Sequence, residues 1–188
     1  MSLTPAFEPG LCNGWLFMIV FPLQWLAVVV LPARIVARTG HPAELRLGRG
    51  ARIMSGLTQF FWIGATLYSI FLPLRPGTLW FTGGLLIFGG GLIMLVFATL
   101  SVTRTEPGEP FTGGVYRFSR HPMYLSMILV YTAVSVAAAS WLFSAITLIT
   151  VFLQRFQAIQ EEGYCLEKFG QAYRQYLART PRWIGVPR

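Results

Sequence analysis

Residues 122–154 form a run of 33 residues without one charged side chain. As a single helix the run would extend about 50 Å at roughly 1.5 Å per residue, far more than a bilayer hydrocarbon core of about 30 Å. The run therefore reads as two short helices joined by a tight turn near 138–141. There the small residues Ala137, Ala138, Ala139 and Ser140 let two backbones approach closely. Two further uncharged stretches, 53–74 and 77–102, are 22 and 26 residues long, and 15–31 adds 17 that include Pro22 and Gln24. A spanning helix needs roughly 20 apolar residues. Only 12% of the chain is charged, about half the share that ordinary soluble domains use to cover a water-facing surface. A lipid-facing surface removes that difficulty.

The expected architecture is all-α and polytopic: five transmembrane helices, the fourth and fifth a short hairpin, plus a C-terminal amphipathic helix. The first three spans fall at about 14–36, 53–74 and 79–101. Residues 1–188 form a single membrane domain, with helices one and two in 1–75 and the catalytic, cofactor-binding part in 76–188. With the N-terminus outside, the inner connections 32–52 and 103–121 and the tail from 155 hold five, three and six Lys or Arg, leaving Arg75 alone outside. This is the bias that the positive-inside rule requires, and a four-helix count would destroy it. The net charge of +8 is thus an orientation signal. No basic stripe interleaves with stacking aromatics, so nucleic acid is not an expected partner. Membrane lipids are, and the compact size points to a prokaryotic inner membrane with the C-terminus cytoplasmic. The first charged residue is Glu8 and no basic leader precedes it, so no cleavable signal peptide is expected. Cys12 and Cys165 fall on opposite sides. No CxxC or Cys/His cluster points to a metal, and the chain contains no Asp.

The tail from about 161 to 179 reads as a separate helix. Its stripe of Leu166, Phe169, Tyr173, Tyr176 and Leu177 would lay it across the cytoplasmic mouth of the bundle or on the membrane surface, and Pro181 would end it. Two polar clusters approach that mouth. Arg120-His121 sits where a loop meets the fourth helix, with Pro122 suited to its first turn and Tyr124 one turn in. Glu161-Glu162 lies at the far end of the fifth. Taken singly, each has an ordinary reading, a polar cap for the histidine and a dipole-stabilised first turn for the glutamates. A hairpin brings both to one interface, where ionisable groups beside lipid are costly unless paired or functional. Such a site offers carboxylates to an ammonium and aromatic faces to a purine.

In the order and spacing of three motifs the chain resembles the isoprenylcysteine carboxyl methyltransferase and phospholipid methyltransferase family of integral membrane enzymes. These are YRFSRHPMYL, the EE pair some forty residues later, and FGQAYRQYLARTPRW. The resemblance covers roughly 80–185. It implies an S-adenosylmethionine site built from the C-terminal half. Tyr116, His121, Pro122, Met123 and Tyr124 match the cofactor-binding loop and helix start, and Glu161 or Glu162 matches the residue holding the cofactor's amino group. Relatives often carry Arg four residues before that Glu. Here the position is Gln157 or Ala158, and Arg155 is the nearest Arg on that helix. Arg155 and Arg120 are the candidates for orienting a substrate by paired hydrogen bonds. The acceptor would be lipophilic: most of all a prenylated-cysteine-like carboxylate, otherwise a phospholipid amine or a small thiol. An amine or thiol would need deprotonation, for which His121 or a Glu is available. Two other classes remain open on these residues. One is an NADPH-dependent sterol-type reductase, whose relatives are larger. The other is a non-enzymatic scaffold.

Overall fold

The computed structural model describes residues 7–30, 49–106 and 108–187. Regular structure among them is helical: α1 (Trp15–Met18), α2 (Val20–Val30), α3 (Arg49–Ser69), α4 (Leu79–Arg104), a 3-10 turn (Gly114–Arg117), α5 (Pro122–Ala137) and α6 (Trp141–Arg179). By length and apolar composition α4 and α6 can each cross a membrane, and α5 is a shorter apolar helix. The expected five crossings also rest on α2 and α3. Residues 31–36 of the first lie outside the described residues, and α3 begins on the polar pair Arg49 and Arg52.

The 33-residue run does fold as a hairpin. It breaks at Ala138–Ser140, with Ala139 in the left-handed region at φ 51°. Ser140 caps α6 by accepting a hydrogen bond from Phe143 N at 3.2 Å. Ser135 and Thr147 meet across the seam at 3.1 Å, and Met127 and Gln154 at 3.0 Å, which fixes an antiparallel register. On the other side of α5 lies α4. Gly84 permits that packing, because a Cβ there would stand 2.6 Å from Ala137 Cβ and 2.7 Å from Ala133 O. The main core forms where α1, α3, α5 and α6 converge, around Met18, Ala65, Tyr68, Tyr131, Val134 and Phe143. Apolar side chains such as Phe60, Leu86, Ile93, Leu148 and Phe152 point outward, as a lipid-facing surface requires.

Two boundaries differ from the sequence reading. The second expected helix stops at Ser69, not Leu74. Residues 70–74 are drawn into an extended pairing with the N-terminal arm: Asn13 donates to Ile70 O at 2.7 Å, and Gly14 N to Leu72 O at 2.9 Å. Hydropathy is blind to that capture because both outcomes bury the same apolar residues. The tail helix separates at Gly170, not near 161. α6 runs on through Glu161-Glu162 to Arg179, 39 residues with a kink at Gly170 (φ 54°, ψ −123°). Up to the kink, at roughly 1.5 Å per residue, it is about 43 Å long, so its charged part, from Arg155 onward, projects beyond a hydrocarbon core of about 30 Å. Beyond the kink Tyr173 and Tyr176 are buried against the bundle and Leu177 is half-buried, as are Leu166 and Phe169 just before it.

Candidate functional site

The end of the hairpin away from its turn carries the charge. α5 starts there because Pro122 supplies the first-turn φ and needs no amide partner. Just before it, Ser119 Oγ accepts from His121 N at 3.1 Å and fixes the entry angle. The loop is held on two sides. Val115 N reaches Ser101 Oγ on α4, and Tyr176 Oη, beyond the kink, donates to Tyr116 O at 2.7 Å. Past α6 the chain doubles back along the loop, with Arg120 N donating to Pro181 O and Gly185 N to Phe118 O, both at 3.1 Å.

These constraints assemble an ion cluster around Glu162. Its Oε1 accepts from Arg120 Nη1 and Arg182 Nε, each at 2.9 Å, and its Oε2 from Arg182 Nη2 at 2.7 Å. His121 Nε2 lies 3.2 Å from Oε1. Burial pushes the Glu162 carboxyl up, but His121, Arg182 and Arg120 together bring it down to about 2. Burial likewise pulls the His121 imidazole down, and the hydrogen bonds and charges of Glu161 and Glu162 outweigh it, so the net shift is upward. Both groups lie on the polar side of the apolar run, at or beyond its end. Glu162 therefore stays ionised, and its oxygens are occupied by three cationic partners.

Glu161 is different. Its side chain is 49% exposed, pairs with His121 Nδ1 at 3.4 Å and hydrogen-bonds the Tyr124 hydroxyl. Arg120 Nε is buried and has no partner among the described residues. The imidazole thus stands between two unlike carboxylates, the half-exposed Glu161 on its Nδ1 side and the buried Glu162 on its Nε2 side. The ring of that imidazole stacks on Tyr124, centroids 5.3 Å apart and 7° from parallel, with Trp183 at 6.1 Å. Tyr116 is buried against Ala98, Val102 and Met123, and burial raises its phenol far above the ordinary value, so it stays neutral.

Of the residues singled out from sequence, His121, Arg120, Glu161, Glu162 and Tyr124 meet in this cluster, and Pro122, Met123 and Tyr116 form its floor and frame. Arg155 stands apart: it is exposed, seven residues along α6 from Glu162. Arg182 and Trp183 were not singled out, although they stand inside the FGQAYRQYLARTPRW motif. Only the kink at Gly170 and the return of the chain bring them to the glutamate. An apolar cleft of about 310 Å³ lined by Trp15, Met18, Ile19, Pro22, Thr66 and Ile70 lies toward the opposite end. Lacking a charged lining residue, it suits lipid better than a zwitterion.

The phospholipid methyltransferase family model matches residues 77–172, from just before α4 to just past the kink. Methanethiol S-methyltransferase 1 of Bradyrhizobium diazoefficiens is 33% identical over 117 residues, covering 57% of this chain and 40% of that protein. An uncharacterized protein of Haemophilus influenzae is 32% identical over 65 residues, its whole length and 33% of this chain. The chain thus spans less than half of the Bradyrhizobium relative. With more than half its length inside the family model, and with the matched segment carrying α4, the hairpin and the glutamate pair, the chain belongs to the phospholipid methyltransferase family.

Proposed function

We propose that the protein is an integral membrane methyltransferase that uses S-adenosylmethionine at the Glu162 cluster and methylates a small lipophilic thiol. The observation that carries the reading is the division of labour between adjacent glutamates: one buried and saturated by Arg120, Arg182 and His121, the other half-exposed against His121 and Tyr124. The methionine end of the donor is a zwitterion. Glu161 suits its ammonium and Arg120 its carboxylate, both as charge-assisted hydrogen bonds. Glu162 acts as a positioning residue that holds Arg120 and His121 in place. The His121–Tyr124 stack and Trp183 supply aromatic faces for the positively charged and purine parts.

The donor supplies an activated methyl group on a sulfonium. The acceptor sulfur forms the new bond to that carbon as the sulfonium–carbon bond breaks, S-adenosylhomocysteine leaves, and the thiol proton passes to water. What the chain contributes is alignment and exclusion of bulk water at the membrane boundary. Among the expected acceptor classes, the Bradyrhizobium relative, named for methanethiol, favours the thiol over a phospholipid amine or prenylcysteine carboxylate. A thiol needs no cation to orient it, so the exposed Arg155 has no part in this reading. The reactive end faces the cytoplasm, where the donor is made.

Binding of labelled S-adenosylmethionine to the detergent-purified protein, challenged with NADPH, tests the cofactor. Glu161→Gln is expected to weaken donor binding about tenfold, roughly 1.4 kcal/mol, with the melting temperature unchanged. Displacement by NADPH, or an unaltered dissociation constant in Glu161→Gln, would contradict the assignment.

A further inference from the structure

Two arginines share the Glu162 carboxylate unequally. Arg182 takes it as a fork, with Nε on Oε1 at 2.9 Å and Nη2 on Oε2 at 2.7 Å. Arg120 takes it at a single point, Nη1 on Oε1 at 2.9 Å, and its buried Nε has no partner among the described residues. A guanidinium is built for the forked geometry, which is also the stronger one. Arg182 holds the one oxygen, Oε2, that Arg120 would need to complete it. Oε1, in turn, already faces Arg120, Arg182 and His121.

Arg182 reaches that oxygen from outside both helices of the hairpin. It stands on the segment that returns after α6, and that segment is tied to the loop before α5. Arg120 N donates to Pro181 O at 3.1 Å, Ser119 Oγ to Arg182 O at 3.4 Å, and Gly185 N to Phe118 O at 3.1 Å. The two arginines therefore leave backbone segments that are bonded to each other, and their side chains converge on one carboxylate. Arg182 is the more open of the two, 29% exposed against 15%. Its loss would vacate Oε2 and leave the more buried Arg120 to take it.

We propose that Arg182 is a positioning residue of the donor site: by holding Glu162 Oε2 it keeps Arg120 at a single point of contact, so that the rest of the Arg120 guanidinium is left for the donor's carboxylate. This rests on the methyltransferase reading, in which Arg120 meets that carboxylate, and adds what keeps Arg120 free to do so. Glu162 alone would not. A carboxylate with no second arginine draws two N–H groups of Arg120 into a fork, and a guanidinium so engaged offers a ligand less. Arg182 thus acts on donor recognition through Arg120, without touching the donor. The part of the donor that responds is the carboxylate, not the ammonium or the sulfonium.

The test uses the full chain in detergent and two ligands: S-adenosylmethionine and its decarboxylated analogue, which keeps the ammonium and the sulfonium. Wild type should bind the analogue about tenfold more weakly, because a charge-assisted pair is lost. Arg182→Gln should weaken S-adenosylmethionine about fivefold or more and leave the analogue within about twofold of wild type, so that the preference for the carboxylate collapses. Arg182→Met, which keeps the apolar stem, is read in the same way should Arg182→Gln not fold. Equal weakening of both ligands, or failure of both variants to fold, makes Arg182 structural and overturns the proposal. So does a wild-type preference in a folded variant. Wild type that binds the two ligands equally removes the Arg120 contact and the proposal with it, while the Glu161 contact stands. Wild type that binds neither removes the methyltransferase reading itself.

Discussion

The two ends of the α5–α6 hairpin are both polar, and they solve opposite problems. At the turn every group is short and satisfied. Ser140 caps α6, Ser135 and Thr147 share a hydrogen bond, and Arg75 N, on the neighbouring turn, donates to Ala137 O. None of these short side-chain hydroxyls is left without a partner among the described residues. At the other end the groups are long, charged and unequal in number: two arginines and a histidine converge on one buried carboxylate, while a second carboxylate stays half-exposed beside the same histidine and one guanidinium N–H has no partner among the described residues. A polar end that closes on itself holds a fold together. One with a surplus can hold a ligand, provided that the surplus is fixed in place.

The contrast is broken most directly at Glu162. Glu162→Gln leaves Arg120 and Arg182 converged with no counter-charge and His121 with Glu161 alone. Breaking a buried pair from one side costs about 3–5 kcal/mol, so the unfolding midpoint in detergent should drop sharply and donor binding should vanish with it. A variant that melts like wild type would mean that water, not Glu162, neutralises the cluster, and the distinction between the two ends would fail.

Why this end was only partly legible follows from how each residue reaches it. The hairpin could be read because 33 uncharged residues exceed one bilayer crossing, and the hairpin in turn forces His121 toward Glu161 and Glu162. Which glutamate is buried could not be read. Adjacent helix positions differ by about 100° of rotation, and the packing of α6 against α5 and α3 sets that angle. Arg182 was hidden for another reason. It reaches the cluster only after α6 kinks at Gly170, whereas Gly163, in the same helix, stays helical. The early end of α3 depends on Asn13, which is 57 residues from its partner Ile70.

A gentler probe of the charged end is pH. The His121 pKa is raised in the folded protein by the two glutamates. Its contribution to stability is therefore full below the unfolded value of about 6.5 and is lost as pH rises through the folded value. Glu162, depressed to about 2, contributes fully above the ordinary carboxylate range and loses its contribution only as pH falls through about 2. Between pH 6 and 9 the imidazole is thus the group of this pair that moves. The melting temperature should decline across that window in wild type, and the decline should flatten in His121→Gln. An identical slope in both would assign it to groups outside the cluster.

The smallest effect belongs to the satisfied end. Ser140→Ala removes the side-chain acceptor of Phe143 N at the first turn of α6, and N-cap losses run at about 1 kcal/mol. The turn itself should survive, because Ala138 N and Ala139 N keep their backbone bonds to Val134 O and Val136 O. The expected result is a slightly lower melting temperature with the dissociation constant for S-adenosylmethionine unmoved, since the cap lies more than twenty residues along α6 from Glu162, about 33 Å at 1.5 Å per residue. If donor affinity fell as well, the hairpin would have to transmit strain along its length. The ends would then be one cooperative unit, not a fastening and a site.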